Sequence, residues 1–138
     1  MINITKETSV SIDDVLHLYQ AVGWTNYTNQ PQMLEQALSH SLAIYLALDG
    51  DAVVGLVRLV GDGFSSVFVQ DLIVLPSYQR QGIGSDLMKE ALGDFKDAYQ
   101  VQLATEQTEK NLGFYRSLGF ETLSTYDCTG MIWVDRKK

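Results

Sequence analysis

The stretch from Val67 to Leu75 constrains the fold of this chain more than any other segment. Apolar residues lie on both of its alternating faces, which is typical of a central strand that is covered on both sides. Pro76 follows directly and ends the strand, because proline has no N–H to donate to a neighbouring strand. The chain is therefore expected to pack helices against the faces of a sheet.

Further strand signals surround this segment. Asp49-Gly50-Asp51 predicts a tight hairpin, because glycine tolerates a positive φ, and Gly61-Asp62-Gly63 marks a second turn. A short strand is expected near the N-terminus. The other predicted strands are Leu42–Leu48, Ala52–Val60, Val67–Leu75, Val101–Thr105, Phe120–Tyr126 and Thr129–Val134.

Helix signals alternate with the strands. Ser11 begins a capping pattern, apolar residues then follow with helical spacing, and Gly23 suits the end of that helix. Pro31 fits the first turn of a second helix. Two more helices are predicted over Gly82–Tyr99 and around Leu112–Leu118. The resulting order, βααβββαβαββ, predicts an α+β fold.

Composition narrows the class of protein. No repeat, low-complexity tract or charge block divides the 138 residues, so a single domain over residues 1–138 is predicted. The net charge of −7 argues against a nucleic-acid partner, which would call for a basic surface. An acidic surface is compatible with a cationic substrate, although many proteins are acidic only for solubility.

The remaining composition bears on location. Cys128 is the only cysteine, which fits a reducing compartment, and it is predicted to be a buried small hydrophobe. The N-terminus lacks the apolar run of a signal peptide, and no later stretch is long and apolar enough to cross a bilayer. A cytoplasmic protein without a membrane partner is therefore expected.

The segment Gln79-Arg80-Gln81-Gly82-Ile83-Gly84 lies where the buried strand gives way to a helix. The first turn of a helix has backbone N–H groups without internal partners, and the helix dipole favours negative charge there. Glycines let the main chain approach a diphosphate, and Arg80 adds a charged donor. The dinucleotide fingerprint would need a third glycine where this chain has Leu87, and a P-loop's Gly-Lys-Ser/Thr is absent.

At this point the chain resembles the GNAT superfamily of N-acetyltransferases. Gln79–Gly84 matches the family's Gln/Arg-x-x-Gly-x-Gly/Ala signature, Asp71–Pro76 is similar to its fourth strand, and Gly113–Phe120 is similar to its Phe-Tyr-x-x-x-Gly-Phe segment. The resemblance covers essentially the whole chain and implies a mixed, largely antiparallel central sheet flanked by helices. Gly61–Phe64 and Gly130-Met131 add a looser likeness to small arylalkylamine (serotonin-type) N-acetyltransferases.

The resemblance implies a site for acetyl-CoA. Backbone groups of the fourth strand would hydrogen-bond the pantetheine arm, and the amides of the loop would hold the pyrophosphate. Carried over to this sequence, the coenzyme-binding residues are Leu72, Ile73, Val74, Gln79, Arg80, Gln81, Gly82, Ile83, Gly84 and Ser85. Many family members place a coenzyme-contacting asparagine about seven residues before the tyrosine. That position is Thr108 here, which could instead cap the helix, so Asn111 is the candidate contact.

Two residues are candidates for catalysis. Tyr115 matches the family's tyrosine that protonates the departing thiolate; the alternative is an aromatic side chain packed in the core. Asp71 is the candidate general base or ammonium anchor, because a protonated amine must lose its proton, directly or through water, before it can attack. Alternatively, Asp71 is structural and hydrogen-bonds to a neighbouring loop, because a carboxylate that is buried without a partner costs free energy.

The acceptor side is less constrained. Trp24 and Tyr27 lie between the first two helices, in a region that often borders the acceptor pocket of this fold, and could stack on an aromatic amine or hold an ammonium group. They could equally seal the core. His17 and His40 lack partners at metal-ligand spacing, so no metal is predicted.

The resemblance thus implies an enzyme that transfers acetyl from acetyl-CoA to a primary amine by direct attack within a ternary complex. A small arylalkylamine or polyamine is the expected acceptor. Two alternatives stay open, a noncatalytic acyl-CoA-binding module and an acetyltransferase of protein lysines or N-termini. Dimers are common in the family, so a homodimer is also open, although the residues give no independent sign of one.

Overall fold

The computed structural model describes residues 1–135 and contains one five-stranded sheet with the strand order β1-β2-β3-β4-β5. The first four strands pair antiparallel with their neighbours, and β5 joins β4 in parallel. Their bounds are Ile2–Glu7 for β1, Ala43–Asp49 for β2, Ala52–Gly61 for β3, Ser66–Val74 for β4 and Gln100–Leu103 for β5.

Five α-helices accompany the sheet in the described part of the chain. They are α1 over Ile12–Ala21, α2 over Thr25–Thr28, α3 over Pro31–Ser39, α4 over Ile83–Asp94 and α5 over Glu109–Ser117. Single 3-10 turns form at Pro76–Tyr78 and Leu123–Tyr126. The Ser11 hydroxyl accepts from the amide of Asp13 and caps α1, as the sequence predicts.

The chain divides into two compact units, Met1–Leu103 and the residues from Ala104 onward. In the first unit, α1 to α3 cover one face of the sheet and α4 packs against β1 to β4. The core between α1–α3 and the sheet is built from buried apolar side chains: Val15, Leu18, Tyr19, Tyr27, Leu34, Leu38, Ile44, Leu46, Leu56 and Ile73. The second unit contains α5 and the 3-10 turn that follows it.

The predicted α+β class and the largely antiparallel sheet are confirmed, and the order of elements matches the prediction as far as α5. The short α2 is an addition. The helix predicted over Gly82–Tyr99 is shorter and ends at Asp94. The sequence predicts an apolar stripe of Ile83, Leu87, Met88, Ala91 and Phe95 on this helix; the first four are buried, and Phe95, which caps the end of the helix, is only partly buried.

The two final strands were predicted wrongly. Residues 120–122 are irregular and Leu123–Tyr126 forms a 3-10 turn instead. The Thr122 hydroxyl lies 3.0 Å from that of Ser124 and 3.2 Å from that of Thr125, and such local bonds compete with strand pairing. Asp127 then adopts the left-handed region with φ 57°. Thr129–Val134 has no regular secondary structure.

Three smaller expectations concern single features of the chain. Cys128 is exposed rather than buried, because it follows this turn instead of lying in a covered strand. No helix within residues 1–135 is both long enough and apolar enough to span a bilayer. Over the same range, no group of three or more His, Cys, Asp or Glu side chains is placed to hold a metal ion.

Candidate functional site

The centre of β4 contains a β-bulge. Arg58 of β3 lies opposite Asp71, whereas the next residue, Leu59, lies opposite Val69, so Gln70 is an extra residue in β4. Because Arg58 and Leu59 are consecutive in a strand, they point to opposite faces of the sheet, and so do their partners. The bulge therefore turns Asp71 toward the face that α1 to α3 cover.

Asp71 is the centre of a buried hydrogen-bonded cluster. Its Oδ2 accepts from Arg58 Nε over 2.7 Å and from the Tyr19 hydroxyl over 2.8 Å, and its Oδ1 accepts from the Tyr27 hydroxyl over 2.9 Å. Arg58 donates further to the Tyr27 hydroxyl over 3.1 Å and to the Ser41 hydroxyl over 3.2 Å. Arg58 and Asp71 are only 4% and 2% exposed, so each charge is compensated by the other rather than by water.

This arrangement favours the structural alternative for Asp71. Both carboxylate oxygens are occupied and the side chain is buried, which leaves no free oxygen at the surface for the proton of an amine. Burial and the adjacent Asp71 carboxylate raise the pKa of the Tyr19 hydroxyl far above its ordinary value, and the same two causes raise the pKa of Tyr27. Both phenols are therefore neutral donors to the carboxylate.

Trp24 and Tyr27 pack with Tyr19 in an aromatic cluster. Tyr27 meets Tyr19 edge-on with ring centroids 4.9 Å apart, and Trp24 lies 6.1 Å from Tyr19 and 6.3 Å from Tyr27. Tyr27 is buried, and Trp24 is half-buried against the same core. The arrangement favours the core-sealing alternative for Tyr27, whereas Trp24 stays partly exposed.

Beyond the bulge, the backbone groups of β4 face two directions. The amide of Leu75 donates to the carbonyl of Val54 in β3 over 2.9 Å. In an antiparallel pair, every second residue turns both backbone groups toward the same partner. Ile73 therefore bonds β3, whereas Leu72 and Val74 turn their N–H and C=O groups to the other edge. Of the three predicted backbone contacts, only Leu72 and Val74 can meet a ligand there.

That other edge is open in the first unit. β5 pairs with β4 only from Ser66 to Val69, so no strand of this unit pairs with Leu72 or Val74. The side-chain amide of Gln79 donates to the Val74 carbonyl over 3.1 Å and fills one of these positions. The remaining backbone groups form a short edge to which an extended chain with amide groups could bond.

The loop that follows contains two residues in the left-handed region. Arg80 has φ 66° and Gly82 has φ 83°. A non-glycine residue at such a φ is uncommon, so the loop is held in one particular shape. A Cβ added to Gly82 would meet no atom within 4 Å, which means that the space above this residue is open. Within residues 1–135, Arg80 has no ion-pair partner, unlike Arg58 and Arg116.

The N-terminus of α4 is uncapped by any side chain. The Ser11 hydroxyl accepts from an amide of α1 and the Thr108 hydroxyl accepts from the Asn111 amide of α5, whereas α2 and α3, like α4, begin without a side-chain cap. The first-turn amides of α4 after Gly82 are thus available, and the helix dipole makes this end favourable for an anion. Gln81 and Ser85 flank this turn, and Ile83 is buried beneath it.

Tyr115 and Asn111 lie one turn apart in α5, within the second unit. Thr108 caps this helix, as the sequence suggested. Tyr115 contacts Phe114 and Phe120 edge-on, with ring centroids 4.9 Å and 5.9 Å apart. Burial raises the pKa of its hydroxyl, which has no hydrogen-bond partner among residues 1–135. The Asn111 side-chain amide donates a long bond of 3.4 Å to the Glu106 carbonyl, its one hydrogen bond to the described part of the chain.

Sequence reasoning missed the partners of Asp71 and the bulge beside it. Arg58 was visible as the one charge within the otherwise apolar strand Ala52–Val60, and a buried arginine requires a carboxylate. That signal could have paired it with Asp71. No comparable signal marked Tyr19 or the extra residue Gln70, because both depend on the register of β3 and β4.

Three comparisons with known proteins bear on this geometry. The family model for the acetyltransferase (GNAT) domain matches residues 40–122. A solved structure, a GNAT-family acetyltransferase from Streptococcus pneumoniae TIGR4, is 82% identical over 99% of both chains, with a TM-score of 0.92. The chloroplastic serotonin N-acetyltransferase 2 of Oryza sativa subsp. japonica is 28% identical over 117 residues, which are 82% of this chain and 58% of that protein.

The chain belongs to the GNAT acetyltransferase family, and the resemblance seen in the sequence is confirmed. It spans about three fifths of the length of its rice relative, 58%. A GNAT acetyltransferase from Elizabethkingia anophelis that was solved with acetyl-CoA bound shares the fold with a TM-score of 0.64 at 21% identity, over 87% of this chain and 76% of that one.

Proposed function

We propose that this protein transfers the acetyl group of acetyl-CoA to the primary amine of a small molecule. The observation that carries the proposal is the uncapped, glycine-led N-terminus of α4 beside Arg80, which has no ion-pair partner in the described chain. A pyrophosphate is the anion that this end of α4 fits best, because several amides and one guanidinium can bind it together.

The open edge of β4 supports the same donor. The pantetheine arm carries two amides, and the outward N–H and C=O groups of Leu72 together with the outward N–H of Val74 are suited to pair with them as an added strand would. The Gln79 side chain, which is bonded to the Val74 carbonyl, fixes the loop relative to this edge. The family member from Elizabethkingia anophelis that was solved with acetyl-CoA bound supports this choice of donor.

The proposed reaction is a direct attack. The neutral amine nitrogen attacks the thioester carbonyl carbon, the carbon–sulfur bond breaks, and the sulfur leaves as a thiolate that takes a proton from the Tyr115 hydroxyl. The proton that the nitrogen loses as the amide forms returns through water to the Tyr115 oxygen. An outward N–H near Val74 would stabilise the oxyanion. A phenol whose pKa is raised by burial keeps its proton at neutral pH and is therefore present in the acid form.

The proton of the incoming ammonium is proposed to leave through water rather than directly to Asp71. The occupied carboxylate supports this choice, because Arg58 and two tyrosines already satisfy it. Asp71→Asn should then lower thermal stability without abolishing turnover. Loss of turnover in an Asp71→Asn protein that is still folded would return Asp71 to the role of general base.

A small amine is the proposed acceptor class. The 28% identity to a serotonin N-acetyltransferase supports an arylalkylamine, and the half-exposed Trp24 offers it an aromatic surface. The net charge of −7 also attracts cationic molecules, polyamines included.

The decisive measurement combines binding with turnover. Acetyl-CoA should raise the melting temperature of the protein, and coenzyme A release should depend on an amine from a panel of arylalkylamines, polyamines and peptides. Tyr115→Phe should lower kcat by about 10²-fold or more, the usual range for a general acid, and leave the affinity for acetyl-CoA unchanged. The matched control is Tyr126→Phe, on an exposed tyrosine.

Three results would redirect the proposal. Stabilisation by acetyl-CoA without turnover on any amine would favour a noncatalytic acyl-CoA-binding module. Turnover on peptides alone would favour an acetyltransferase of proteins. Full kcat in Tyr115→Phe would remove the acid role from Tyr115.

A further inference from the structure

One side chain connects the loop before α4 to a distant part of the sheet. Tyr78 ends the 3-10 turn Pro76–Tyr78 and directly precedes Gln79, the first residue of the loop. Its hydroxyl donates over 2.5 Å to Oδ2 of Asp49, the last residue of β2 and 29 positions earlier in the chain. Both residues are half-buried, and neither is among the proposed coenzyme contacts.

The other hydrogen bonds of this turn are local. The backbone amides of Tyr78 and Gln79 donate to carbonyls three residues back, and the Gln79 side chain donates to the Val74 carbonyl five residues back. Within residues 1–135, the bond from Tyr78 to Asp49 is the one hydrogen bond that joins residues 76–81 to a distant part of the chain. This bond, here called the tether, therefore fixes the turn relative to the hairpin of β2 and β3.

Asp49 is a firm anchor because it lies inside the sheet. It is paired with Ile2 of β1 on one side and with Ala52 of β3 on the other. Residues that are paired on both sides in a sheet open less readily than those of surface loops. The tether therefore joins a segment that needs support to one that is already held.

The loop beyond the tether is both exposed and constrained. Arg80, two residues after Tyr78, has φ 66°, and Gly82 has φ 83°. Residues 79–82 are all exposed, so packing of their side chains does not hold this shape. A non-glycine residue in the left-handed region persists only where the surrounding structure enforces it. A hydrogen bond to the sheet at the start of the loop supplies such a constraint.

The charge of Asp49 acts against the binding of an anion. A carboxylate only one side chain away from a proposed diphosphate site repels the ligand. Electrostatics alone would thus make Asp49 unfavourable for binding, whereas its bond to Tyr78 would make it favourable. The bond raises the pKa of the Tyr78 hydroxyl, which therefore stays a neutral donor at neutral pH. Because the two effects have opposite signs, removal of Asp49 distinguishes them.

We propose that Asp49 and Tyr78 are positioning residues for the acetyl-CoA site, because the hydrogen bond between them holds the loop before α4 in the shape that receives the pyrophosphate. The inference rests on the proposed function, since it takes this loop as the binding site of the coenzyme. Neither side chain has to touch the ligand. A loop that is already ordered does not lose conformational freedom on binding, and affinity is higher for that reason.

Titration calorimetry with acetyl-CoA tests the tether. Tyr78→Phe and Asp49→Ala should each raise the dissociation constant about 5- to 30-fold, the equivalent of ordering roughly one residue of backbone on binding. The double variant should bind no more weakly than either single variant, because both changes remove the same bond. Asp49→Asn should restore most of the affinity, because its amide oxygen can accept from the hydroxyl.

Two controls match these variants. Asp51 is exposed in the same hairpin, so Asp51→Ala removes the same charge without touching the tether and should leave the dissociation constant unchanged or lower it. Tyr99 is 81% exposed, and Tyr99→Phe should have no effect. With an amine substrate, Tyr78→Phe should raise KM for acetyl-CoA and leave kcat at saturation unchanged, which a general loss of structure would not do.

Hydrogen exchange supplies a readout without ligand. The backbone amides of residue 78 and Gln79 are bonded within the turn, so they should exchange faster in Tyr78→Phe than in the unmodified protein. The amides of β2 should exchange at the same rate in both proteins. Equal exchange of the turn amides would mean that the tether does not order the loop, and the proposal would be wrong.

Two binding results would also overturn the proposal. One is an unchanged or smaller dissociation constant in Asp49→Ala, which would mean that the charge of Asp49 matters more than the tether. The other is additive losses in the double variant, which would mean that Asp49 and Tyr78 act separately. Absence of acetyl-CoA binding by the unmodified protein is a different result, because it would overturn the proposed function itself, whereas hydrogen exchange would still decide whether Tyr78 fixes the loop.

Discussion

The first unit contains two polar regions of opposite character. Around Asp71, every charge and hydroxyl is matched: Arg58, Tyr19 and Tyr27 all donate inward, and the cluster is sealed from water. At the start of α4, the polar groups point outward without side-chain partners, and Arg80 is held at a positive φ. The two regions lie on the same strand–turn–helix segment of the chain.

This difference in hydrogen bonding indicates that the Asp71 cluster stabilises the fold, whereas the loop before α4 binds a ligand. A fully matched buried cluster has no capacity for another ligand, and its energy goes into fixing one conformation of the bulged strand. The loop before α4 contributes little to the stability of the fold, but its free N–H groups and Arg80 are available to bind an anion. Damage to the cluster should therefore reduce stability, and damage to the loop should reduce affinity for acetyl-CoA.

Arg58→Met gives the largest expected loss of stability. It leaves Asp71 as an uncompensated buried charge, and breaking such a pair typically costs about 3–5 kcal/mol of unfolding free energy. Arg116→Met is the matched control, because it breaks the exposed pair with Glu121, worth about 0–1 kcal/mol. Urea unfolding of both variants measures the difference. Equal losses would mean that the buried cluster is not a major source of stability.

Arg80→Gln should behave in the opposite way. A charge-assisted hydrogen bond contributes about 1.5–3 kcal/mol, so the dissociation constant for acetyl-CoA should rise about 10- to 100-fold. The unfolding free energy without ligand should be unchanged, because no ion pair of Arg80 within residues 1–135 is lost. Titration calorimetry with acetyl-CoA is the measurement, and Arg116→Gln is the control. Unchanged affinity would exclude Arg80 from the pyrophosphate site.

Tyr19→Phe should change the response of stability to alkaline pH. The folded protein keeps the Tyr19 proton because its pKa is raised, whereas an unfolded tyrosine releases it near pH 10. Above about pH 10, this tyrosine therefore lowers the unfolding free energy by up to about 1.4 kcal/mol per pH unit, and below that pH its contribution is fully present.

Removing Tyr19 should accordingly make the curve of stability against pH less steep above about pH 10, although the variant is less stable at neutral pH because a bond to Asp71 is lost. Urea unfolding at several alkaline pH values measures both effects. Identical slopes in the two proteins would show that the Tyr19 hydroxyl titrates as it does in the unfolded chain.

The sequence predicted these two regions unequally, and the reason is physical. The loop Gln79–Gly84 is a local feature, because its glycines and the start of the helix that follows involve residues that are neighbours in the sequence. The Asp71 cluster joins residues that are 13 to 52 positions apart, and it exists only because of the register of β3 and β4. Asp71 itself was identified as a site candidate, but its partners could not be read from spacing. The final strands failed for a related reason, because a strand-like sequence forms a strand only when a partner is supplied.

The smallest expected effects come from two glycines associated with α4. Gly82 has a φ of +83°, whereas Gly93 lies within the helix and has no positive φ, and an added Cβ would meet no atom within 4 Å at either position. Backbone conformation alone therefore distinguishes them. Gly82→Ala should cost about 1–2 kcal/mol, because a left-handed conformation is unfavourable for alanine, and Gly93→Ala should gain up to about 1 kcal/mol through helix propensity. Thermal unfolding measures whether each variant loses or gains stability. If Gly82→Ala keeps full stability but weakens acetyl-CoA binding, the glycine serves the close approach of the ligand and not the conformation of the loop.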